Sequence, residues 1–487
     1  MDYSRDPGGL AARRRFLAGA AGAAIATALP SFAAPTLENE IAERARALVT
    51  GRITPLRLLI PEGCRANIVP VIERFRDATG IDVTPIETQV DDIAATLAFD
   101  ALGGRSNYDL ALPATFALPD LVAAEAILSL GTYAARHEPP GFRDGILYRV
   151  GDRFDDELYG FQSDGDAYLM FYHRDLLEDP DERARYADLH AEELGVPSTW
   201  EELDRQMAFF HRPDQGLFGG ALFRSTGYLA WEWWVRLHAK GVWPLSDSLE
   251  PQIDGDAGVE ALEQMIWASA HLVPEARTLG LFANWERFAR GDIYCNIGWG
   301  GTQKYLDAPR STMRGRMIHG PTPGGIVDGE LLRTPYFNWG WSYVVTTGAA
   351  HPELAYLFAM FASTPAMSTL SVGQPDGFFD PYRPEHYVDP TIRALYGDEF
   401  LAVHEASLRQ ALPDFYLANR GEYFRLLGEW LDRALDGRVD PATALTNVAR
   451  GWEALDSRAT HERQIERWRA LRAKYPPDIA ARLRDLG

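Results

Sequence analysis

The sequence predicts an α/β fold built as two lobes, each with a mixed, mostly parallel sheet flanked by helices. Short strand-like segments alternate with helical patterns of about 10–15 residues, which is typical of βαβ units. The chain has 487 residues, too many for a single hydrophobic core. Its 46% hydrophobic and 11% aromatic content is typical of a well-packed globular protein.

The first residues predict an export signal. Arg13 and Arg14 open a basic segment, an alanine-rich apolar run follows at 18–29, and small residues end it at Ala33. The arginine pair resembles the twin-arginine class of signals. The apolar run is short of the ~20 residues that a membrane-spanning helix needs, although an N-terminal anchor is the alternative. We therefore expect residues 1–33 to be a cleaved signal peptide and the mature chain to lie free in the periplasm.

Charge and cysteine content limit the classes of partner. The formal net charge is −21, so the chain should repel nucleic acid and anionic membrane surfaces. The two cysteines, Cys64 and Cys295, would lie in an oxidising compartment, where a disulfide between them is conceivable. We favour two buried thiols, because free cysteine behaves as a small hydrophobic residue.

The elements of the first part of the chain follow from periodicity and turn residues. The pattern predicts helices at 37–49, 67–79, 91–102 and 118–126 and strands at 56–60, 81–86 and 108–112. Gly80 is the expected C-terminal cap of the second helix. Ligands of open α/β sheets bind at the carboxyl ends of the strands. That rule brings Glu62, Asp92, Thr115 and Phe116 to one rim.

The second part of the chain continues the same pattern. Strands are predicted at 166–172, 293–297 and 341–346, with an extended crossing at 317–323. Helices are predicted to begin after a cap at Ser198 or Thr199, and at 222–238, 256–271 and 352–362, and the tail from Pro390 is almost all helical. The charged stretch at 178–193 indicates a solvated helical insertion.

Seven short strings in this order resemble the extracellular solute-binding proteins of bacterial ABC importers, the family that includes sugar-binding receptors. The strings are FRDATGIDV (75–83), YDL (108–110), LYGFQ (158–162), FYHRDLL (171–177), VPSTWEEL (196–203), FARGDI (288–293) and GPTPGG (320–325). The chain departs from the family at Tyr294 and Cys295, where Ala-Met is usual, and in the long link at 178–193.

The resemblance implies a type II periplasmic-binding-protein fold with the ligand cleft between the lobes. One lobe would comprise 50–160 and 318–370, and the other 161–317 and 371–487. The chain would cross between them near 159–161, 317–321 and 371–377, and the lobes would close on the ligand by hinge motion. The implied partners are a small-molecule ligand and the permease subunits of an importer. No cofactor is implied, and the protein is expected to be a monomer.

Aromatic side chains are the first candidates for ligand contact, because sugars stack their apolar faces on rings. Trp299 follows a strand end and a glycine, and it matches the family's cleft tryptophan. Tyr228 and Phe424 (or its neighbour Tyr423) match further ligand-contacting positions of the family. Trp339, in the string NWGW (338–341), is a further candidate for the cleft, whereas Trp341 is expected in the core. The alternative for each ring is a place in the core.

Carboxylates are the second set of candidates. Asp164 and Asp166 stand two apart after the first crossing, so an extended backbone would project both to one side, where they could accept hydrogen bonds from sugar hydroxyls. Only the predicted strand topology assigns four further residues to the site: Glu62, Asp92, Thr115 and Phe116.

These residues predict capture of a sugar or polyol rather than catalysis. No H-E-x-x-H, G-x-S-x-G, C-x-x-C or phosphate-loop pattern occurs in the chain. A carbohydrate-active enzyme with an Asp/Glu pair remains an alternative. A binding protein for a charged solute is another. An organic acid would use Arg224 as a clamp, and a polyamine would use Asp164, Asp166 and the rings as a cage.

Overall fold

The computed structural model describes residues 36–51, 54–105, 107–148, 150–456 and 461–486. The described residues from Leu37 onward form one compact unit. The predicted signal peptide lies outside the described residues.

Strands and helices alternate along the chain up to the last strand, Ser342–Val345, and the elements after it are all helices. The strands are β1 (Leu56–Pro61), β2 (Val83–Thr88), β3 (Leu110–Ala111), β4 (Arg153–Phe154), β5 (Glu157–Leu158), β6 (Gly160–Gln162), β7 (Ala167–His173), β8 (Phe218–Ala221), β9 (Ile293–Gly298), β10 (Met317–Pro321), β11 (Gly325–Val327), β12 (Glu330–Leu332), β13 (Tyr336–Phe337) and β14 (Ser342–Val345). The helices are α1 (Leu37–Leu48), α2 (Arg65–Thr79), α3 (Ile93–Leu102), α4 (Leu118–Ala123), α5 (Gly131–His137), α6 (Arg174–Leu177), α7 (Pro180–His190), α8 (Trp200–Phe210), α9 (Leu229–Ala239), α10 (Asp256–Ser269), α11 (Leu281–Phe288), α12 (Gly300–Leu306), α13 (Pro352–Ala362), α14 (Pro365–Val372), α15 (Pro384–Val388), α16 (Pro390–Tyr396), α17 (Asp398–Arg409), α18 (Arg420–Leu435), α19 (Pro441–Asp456), α20 (His461–Arg472) and α21 (Pro477–Ala480).

The first sheet has the strand order β2-β1-β3-β14-β6. Strand β1 pairs in parallel with β2 and β3, whereas β14 pairs antiparallel with β3 and β6. The apolar sequence of β1 fits its central place, because a strand covered on both faces buries nearly every side chain. The parallel strands direct their carboxyl ends, and hence Glu62, toward one edge of the sheet.

The second sheet has the order β10-β7-β9-β8, and β13 also pairs with β7. Only β8 and β9 pair in parallel; β7 is antiparallel to β9, β10 and β13. This sheet is therefore mixed, with more antiparallel pairing than the sequence predicted. Residues 318–337 were expected beside the first sheet, but β10 and β13 join β7 because the chain returns to the second sheet before it enters β14. The division into lobes stays a prediction.

Most local predictions are confirmed, with shifts of a few residues at the ends. Gly80 has φ 75° and its amide donates to the carbonyl of Arg76, so it caps α2 as expected. Thr199, and not Ser198, is the N-cap of α8, since its side chain accepts from the Glu202 amide. The charged insertion forms α7, in which Tyr186 is the buried residue. Strand β3 is shorter than predicted.

Both cysteines are free and buried, as the composition suggested. The core is rich in aromatic rings, and α13 is buried along most of its length beneath the first sheet. Among the described helices, none is long and apolar enough to cross a membrane by itself. One pair, α13 with α14, passes that test only when joined, and it is bent by 69°.

Candidate functional site

A small cavity lies where the strands of the two sheets end. Glu62 follows β1, Val90 follows β2 and Trp299 follows β9, so the carboxyl ends of strands from both sheets meet at its walls. The volume is about 30 Å³, close to the share of one water in the liquid. The lining residues are Glu62, Cys64, Val90, Asp166, Leu281, Phe282, Trp285, Trp299, Gly301, Trp339, Trp341 and Phe378.

Trp299 lies in the wall of this cavity. The strand β9 ends at Gly298 and α12 begins at Gly300, so the indole stands at the junction of strand and helix. Its Nε1 donates to Oδ1 of Asn338 at 2.8 Å, which fixes the ring orientation. The side chain is only 3% exposed, so it contributes both to the cavity wall and to packing.

Five rings form an aromatic cluster beside the cavity: Phe116, Tyr228, Trp231, Trp299 and Trp339. Trp339 is central, with ring centroids 5.2 Å from Trp231, 5.5 Å from Trp299, 5.6 Å from Phe116 and 5.8 Å from Tyr228. The ring of Tyr228 stacks on Trp339. These rings come from both halves of the chain, so the cluster joins the two sheets. Trp231, on α9, belongs to it as well.

Thr115 supports this cluster from behind. It is fully buried, its hydroxyl hydrogen-bonds the Trp339 carbonyl, and it accepts from the Tyr416 hydroxyl at 2.8 Å. Its side chain is thus occupied by the protein and positions Trp339. Phe116 is also backed by the protein, because the Arg420 guanidinium lies 4.3 Å from its ring centroid.

Three buried carboxyl groups lie next to the cavity, and we call Asp164, Asp166 and Asp380 the carboxylate cluster. One oxygen of each lies within 4.8 Å of the others. Asp166 lines the cavity, whereas Asp164 and Asp380 lie behind it and are 0% exposed. Three carboxyl groups at this spacing have the donor set for a cation.

Backbone amides from three separate stretches of the chain hold the carboxylate cluster. Oδ2 of Asp166 accepts from the Gly340 amide at 3.0 Å, and Oδ1 of Asp164 accepts from the Asp380 amide at 2.6 Å. Oδ2 of Asp380 accepts from the Gly300 amide at 2.6 Å. Oδ2 of Asp164 has no hydrogen-bond partner among the described residues. The cluster therefore ties the crossings together and leaves one buried oxygen unsatisfied.

Burial sets the protonation of this cluster. Burial, and then the charges of Asp164 and Asp380, raise the pKa of Asp166 well above its usual range. Burial also raises the pKa of Asp380 to about 6, although a hydrogen bond from Asp166 and the Lys304 charge oppose it. Because closely spaced buried carboxyl groups cannot all ionise, Asp166 and Asp380 lose their protons as a coupled pair.

Lys304 is the cation beside the cluster. It is one of three lysines in the chain, and burial lowers its pKa to about 8 while Asp380 and Asp164 oppose that shift. Its Nζ lies 2.7–3.2 Å from four backbone carbonyls, those of Val372, Gln374, Gly377 and Phe379. An ammonium has three donors, so this group is fully used in holding the loop after α14.

Three predicted residues lie away from the cavity. Asp92 is exposed at the start of α3, and its neighbour Asp91 instead accepts from the Tyr228 hydroxyl at 3.4 Å. Phe424 packs on Trp234, with Arg420 3.9 Å above its ring, so it belongs to the core beneath α18.

Arg224 is the third predicted residue that lies away from the cavity. It is 1% exposed and its guanidinium binds both oxygens of Glu232, at 2.5 and 3.1 Å. It is therefore unable to serve as the anion clamp that an organic acid would need.

The structure adds cavity residues that sequence reasoning missed. Phe282 and Trp285 lie on α11, Phe378 lies on the loop after α14, and Trp341 was assigned to the core. Asp380 was also missed. The Pro-Asp-Gly turn at 375–377 and the aromatic pair after it are the local signals of that loop, but only the fold brings Asp380 within reach of Asp164, 216 residues earlier.

Comparison with known proteins assigns the class. Residues 71–394 match the family model for bacterial extracellular solute-binding proteins, and the chain belongs to that family. Its fold is the two-lobed fold of periplasmic binding proteins. No curated protein sequence matches the chain.

Several solved structures share this fold at low sequence identity. A solute-binding protein of Agrobacterium radiobacter K84 in complex with ribitol has a TM-score of 0.71 and 18% identity, with 82% of this chain and 98% of that chain covered. Maltose-bound MalE3 of T. maritima has a TM-score of 0.69 and 16% identity, covering 82% and 100%. A protein of Agrobacterium vitis S4 with bound D-mannitol has a TM-score of 0.69 and 15% identity, covering 83% and 99%.

Proposed function

We propose that this protein is a periplasmic receptor that captures a small sugar or polyol and delivers it to the permease of an ABC importer. The observation that carries the proposal is a cavity with aromatic walls and carboxylates, placed where the strand ends of both sheets meet. The rings suit the apolar faces of a sugar, and the carboxylates suit its hydroxyls. Residues 1–33 would direct export and be removed, and the mature protein would act as a monomer.

Two unsatisfied indoles support this ligand class. Nε1 of Trp285 and Nε1 of Trp339 are buried without a hydrogen-bond partner among the described residues, and both side chains line the cavity. Leaving a buried donor unpaired is costly, so a ligand that accepts from it gains affinity. A polyhydroxy compound can accept from both indoles and donate to Asp166 and Glu62.

The small volume of the cavity supports binding by closure. About 30 Å³ is far below the 300–1,000 Å³ typical of ligand pockets, so the rings must separate before a solute enters. We propose that the lobes follow the two sheets, with β10 and β13 in the second lobe, and that they part about the crossings held by the carboxylate cluster. The Tyr228 to Asp91 hydrogen bond would re-form when the lobes close.

Three neighbours are consistent with this class, since their structures carry ribitol, maltose and D-mannitol. An organic acid is disfavoured because the lining has no cationic side chain and Arg224 is fully paired.

A thermal-shift screen of neutral sugars and polyols tests the proposal. A receptor should show a saturable rise in melting temperature with one or a few compounds, which are recovered unchanged. Trp299→Ala should lose the response, and Trp267→Ala, which removes a half-exposed indole on α10, is the matched control and should keep it. Hydrolysis of an oligosaccharide panel would instead support the enzyme alternative. No response to any sugar or polyol would overturn the proposal.

A further inference from the structure

The cavity wall carries acidic groups and no basic ones. Glu62 and Asp166 line it, and the lining contains no lysine, arginine or histidine. The nearest cation, Lys304, has its ammonium committed to four carbonyls of the loop after α14. A ligand in the cavity therefore meets carboxyl oxygens without a competing protein cation.

The carboxylate cluster adds further acidic groups next to the cavity. It places three acidic groups and one ammonium in a buried region, which is an excess of negative charge when all are ionised. Oδ2 of Asp164, in a side chain that is 0% exposed, has no partner among the described residues. When no ligand is bound, protons relieve this excess, because closely spaced buried carboxylates cannot all ionise. A cation in the cavity would relieve it instead.

The aromatic rings of the cavity also favour a positively charged ligand. Trp285, Trp299, Trp339 and Trp341 all contribute to the wall. Tryptophan has the ring face that attracts cations most strongly, and this attraction grows when the cation is desolvated. A solute whose amine contacts Asp166 would lie among these faces, while its hydroxyls accept from the two unsatisfied indoles.

We infer that the ligand of this site is an amine-bearing polyol or amino sugar, a solute with several hydroxyls and one protonated amine. This inference rests on the proposed function and narrows its substrate class. Binding would convert the Asp166 carboxyl to a carboxylate paired with the ligand ammonium, and the displaced proton would leave to solvent. One proton is released for each amine bound, and none is released for a neutral polyol.

Matched ligand pairs test the inference by calorimetric titration. Sorbitol is compared with 1-amino-1-deoxysorbitol, and glucose with glucosamine, each in two buffers of different ionisation enthalpy near pH 7. We expect the better amine to bind about tenfold more tightly than its hydroxyl analogue, as one cation–π and ion-pair contact would give. We also expect proton release with the amine alone.

Variants assign the effect to the site. Asp166→Asn keeps the side-chain shape but removes the charge, so the tenfold preference and the proton release should both be lost. Glu62→Gln, at an exposed position of the cavity mouth, should reduce the preference two- to fivefold without affecting folding. Glu263→Gln, which changes an exposed carboxylate on α10, is the matched control and should retain the full preference.

The outcomes separate the inference from the proposed function. Equal binding of neutral and amine ligands, or tighter binding of the neutral one, overturns the inference and leaves the receptor function standing. An amine preference that persists in both Asp166→Asn and Glu62→Gln also overturns it, because the charge would then act elsewhere. Stabilisation by Ca²⁺ alone would assign the carboxylate cluster to a metal ion. Failure of all four ligands and of the wider screen would overturn the receptor function as well.

Discussion

Two groups of buried charged residues in this protein differ in whether their positive and negative charges balance. Around α9, Glu232 lies between Arg224 and Arg236, and Arg236 also binds both oxygens of Asp204 at 2.7 and 2.8 Å. Charges there are equal in number, and the ion pairs are direct. The carboxylate cluster instead opposes Asp164, Asp166 and Asp380 to the single cation Lys304.

The difference is visible in the protonation of the two groups. Burial alone would raise the pKa of Glu232, but the Arg224 and Arg236 charges hold it below its usual value. Burial outweighs Arg236 at Asp204, whose pKa is raised, so the strongest pairing is at Glu232. In the carboxylate cluster every aspartate has a raised pKa. A balanced network stabilises the fold, whereas an unbalanced one beside a cavity has free capacity for a ligand.

The largest expected effect comes from breaking the balanced network. Glu232→Gln leaves two buried arginines with one carboxylate, and it should lower the free energy of unfolding by about 3–5 kcal/mol. Urea denaturation measures the change. The control is Glu405→Gln, which breaks the exposed pair with Arg409 and should cost less than about 1 kcal/mol. Equal costs for the two variants would contradict the structural role of the network.

The carboxylate cluster should give the next largest effect, as a pH dependence of stability. Because the folded pKa of Asp380 is about 6 and its usual value is 3.8, the folded state keeps a proton that the unfolded state loses between these values. The contribution of this group to stability is present below about pH 4 and is lost as the pH rises through 6, by about 3 kcal/mol.

Asp380→Asn should flatten this dependence, since asparagine stays neutral throughout. Denaturation curves at pH 4, 5, 6 and 7 give the difference between the wild-type protein and the variant. Asp214→Asn, at an exposed position, should leave the slope unchanged. A wild-type slope that matches that of Asp380→Asn would show that the cluster does not hold the proton.

A smaller effect is expected at the unsatisfied indole of Trp339. Trp339→Phe retains an aromatic ring in the aromatic cluster but removes the Nε1 donor, so the Kd for the ligand found by screening should rise about tenfold. Trp267→Phe should leave the Kd unchanged. An unchanged Kd in Trp339→Phe would remove this indole from the ligand contacts.

The smallest effect is expected at the hydrogen bond between Tyr228 and Asp91, which joins the start of α9 to the turn after β2. Tyr228→Phe removes the 3.4 Å contact with Asp91, and at this length the bond is weak. The Kd should rise about two- to threefold, with a melting temperature within about 2 °C of wild type. Asp92→Asn at the neighbouring exposed residue should have no effect. A tenfold loss in Tyr228→Phe would make Tyr228 a direct ligand contact.

The sequence predicted the elements better than the site because elements depend on local patterns. Alternation and capping residues located α2, β7, β9 and α13 to within a few residues. Strand pairing is a long-range property, and it placed β10 and β13 in the second sheet although the crossing at 317–321 had been expected to mark the return to the first.

The site shows the same limit. Trp299, Asp166 and Glu62 line the cavity, and each followed a predicted strand end or crossing, where a topological rule applies. Trp339 also lines the cavity, although no such rule selected it. Asp380 and Phe378 come from a loop more than 200 residues after Asp164, and no local pattern reports such a contact. Phe424 lies in the core and not at the cavity. The sequence could not separate the two places, because an aromatic residue on a late helix fits the core and a ligand platform equally well.

Whether the ligand binds in the cavity is tested most directly by calorimetric titration of the best neutral or amine ligand into wild type, Trp299→Ala and Trp267→Ala. We expect one ligand bound per wild-type chain and unchanged affinity in Trp267→Ala. Trp299→Ala should remain folded, as its melting curve would show, and should lose ~2 kcal/mol or more of binding free energy. Full-affinity binding by folded Trp299→Ala would contradict the account, because the ligand would then bind outside the cavity between the strand ends.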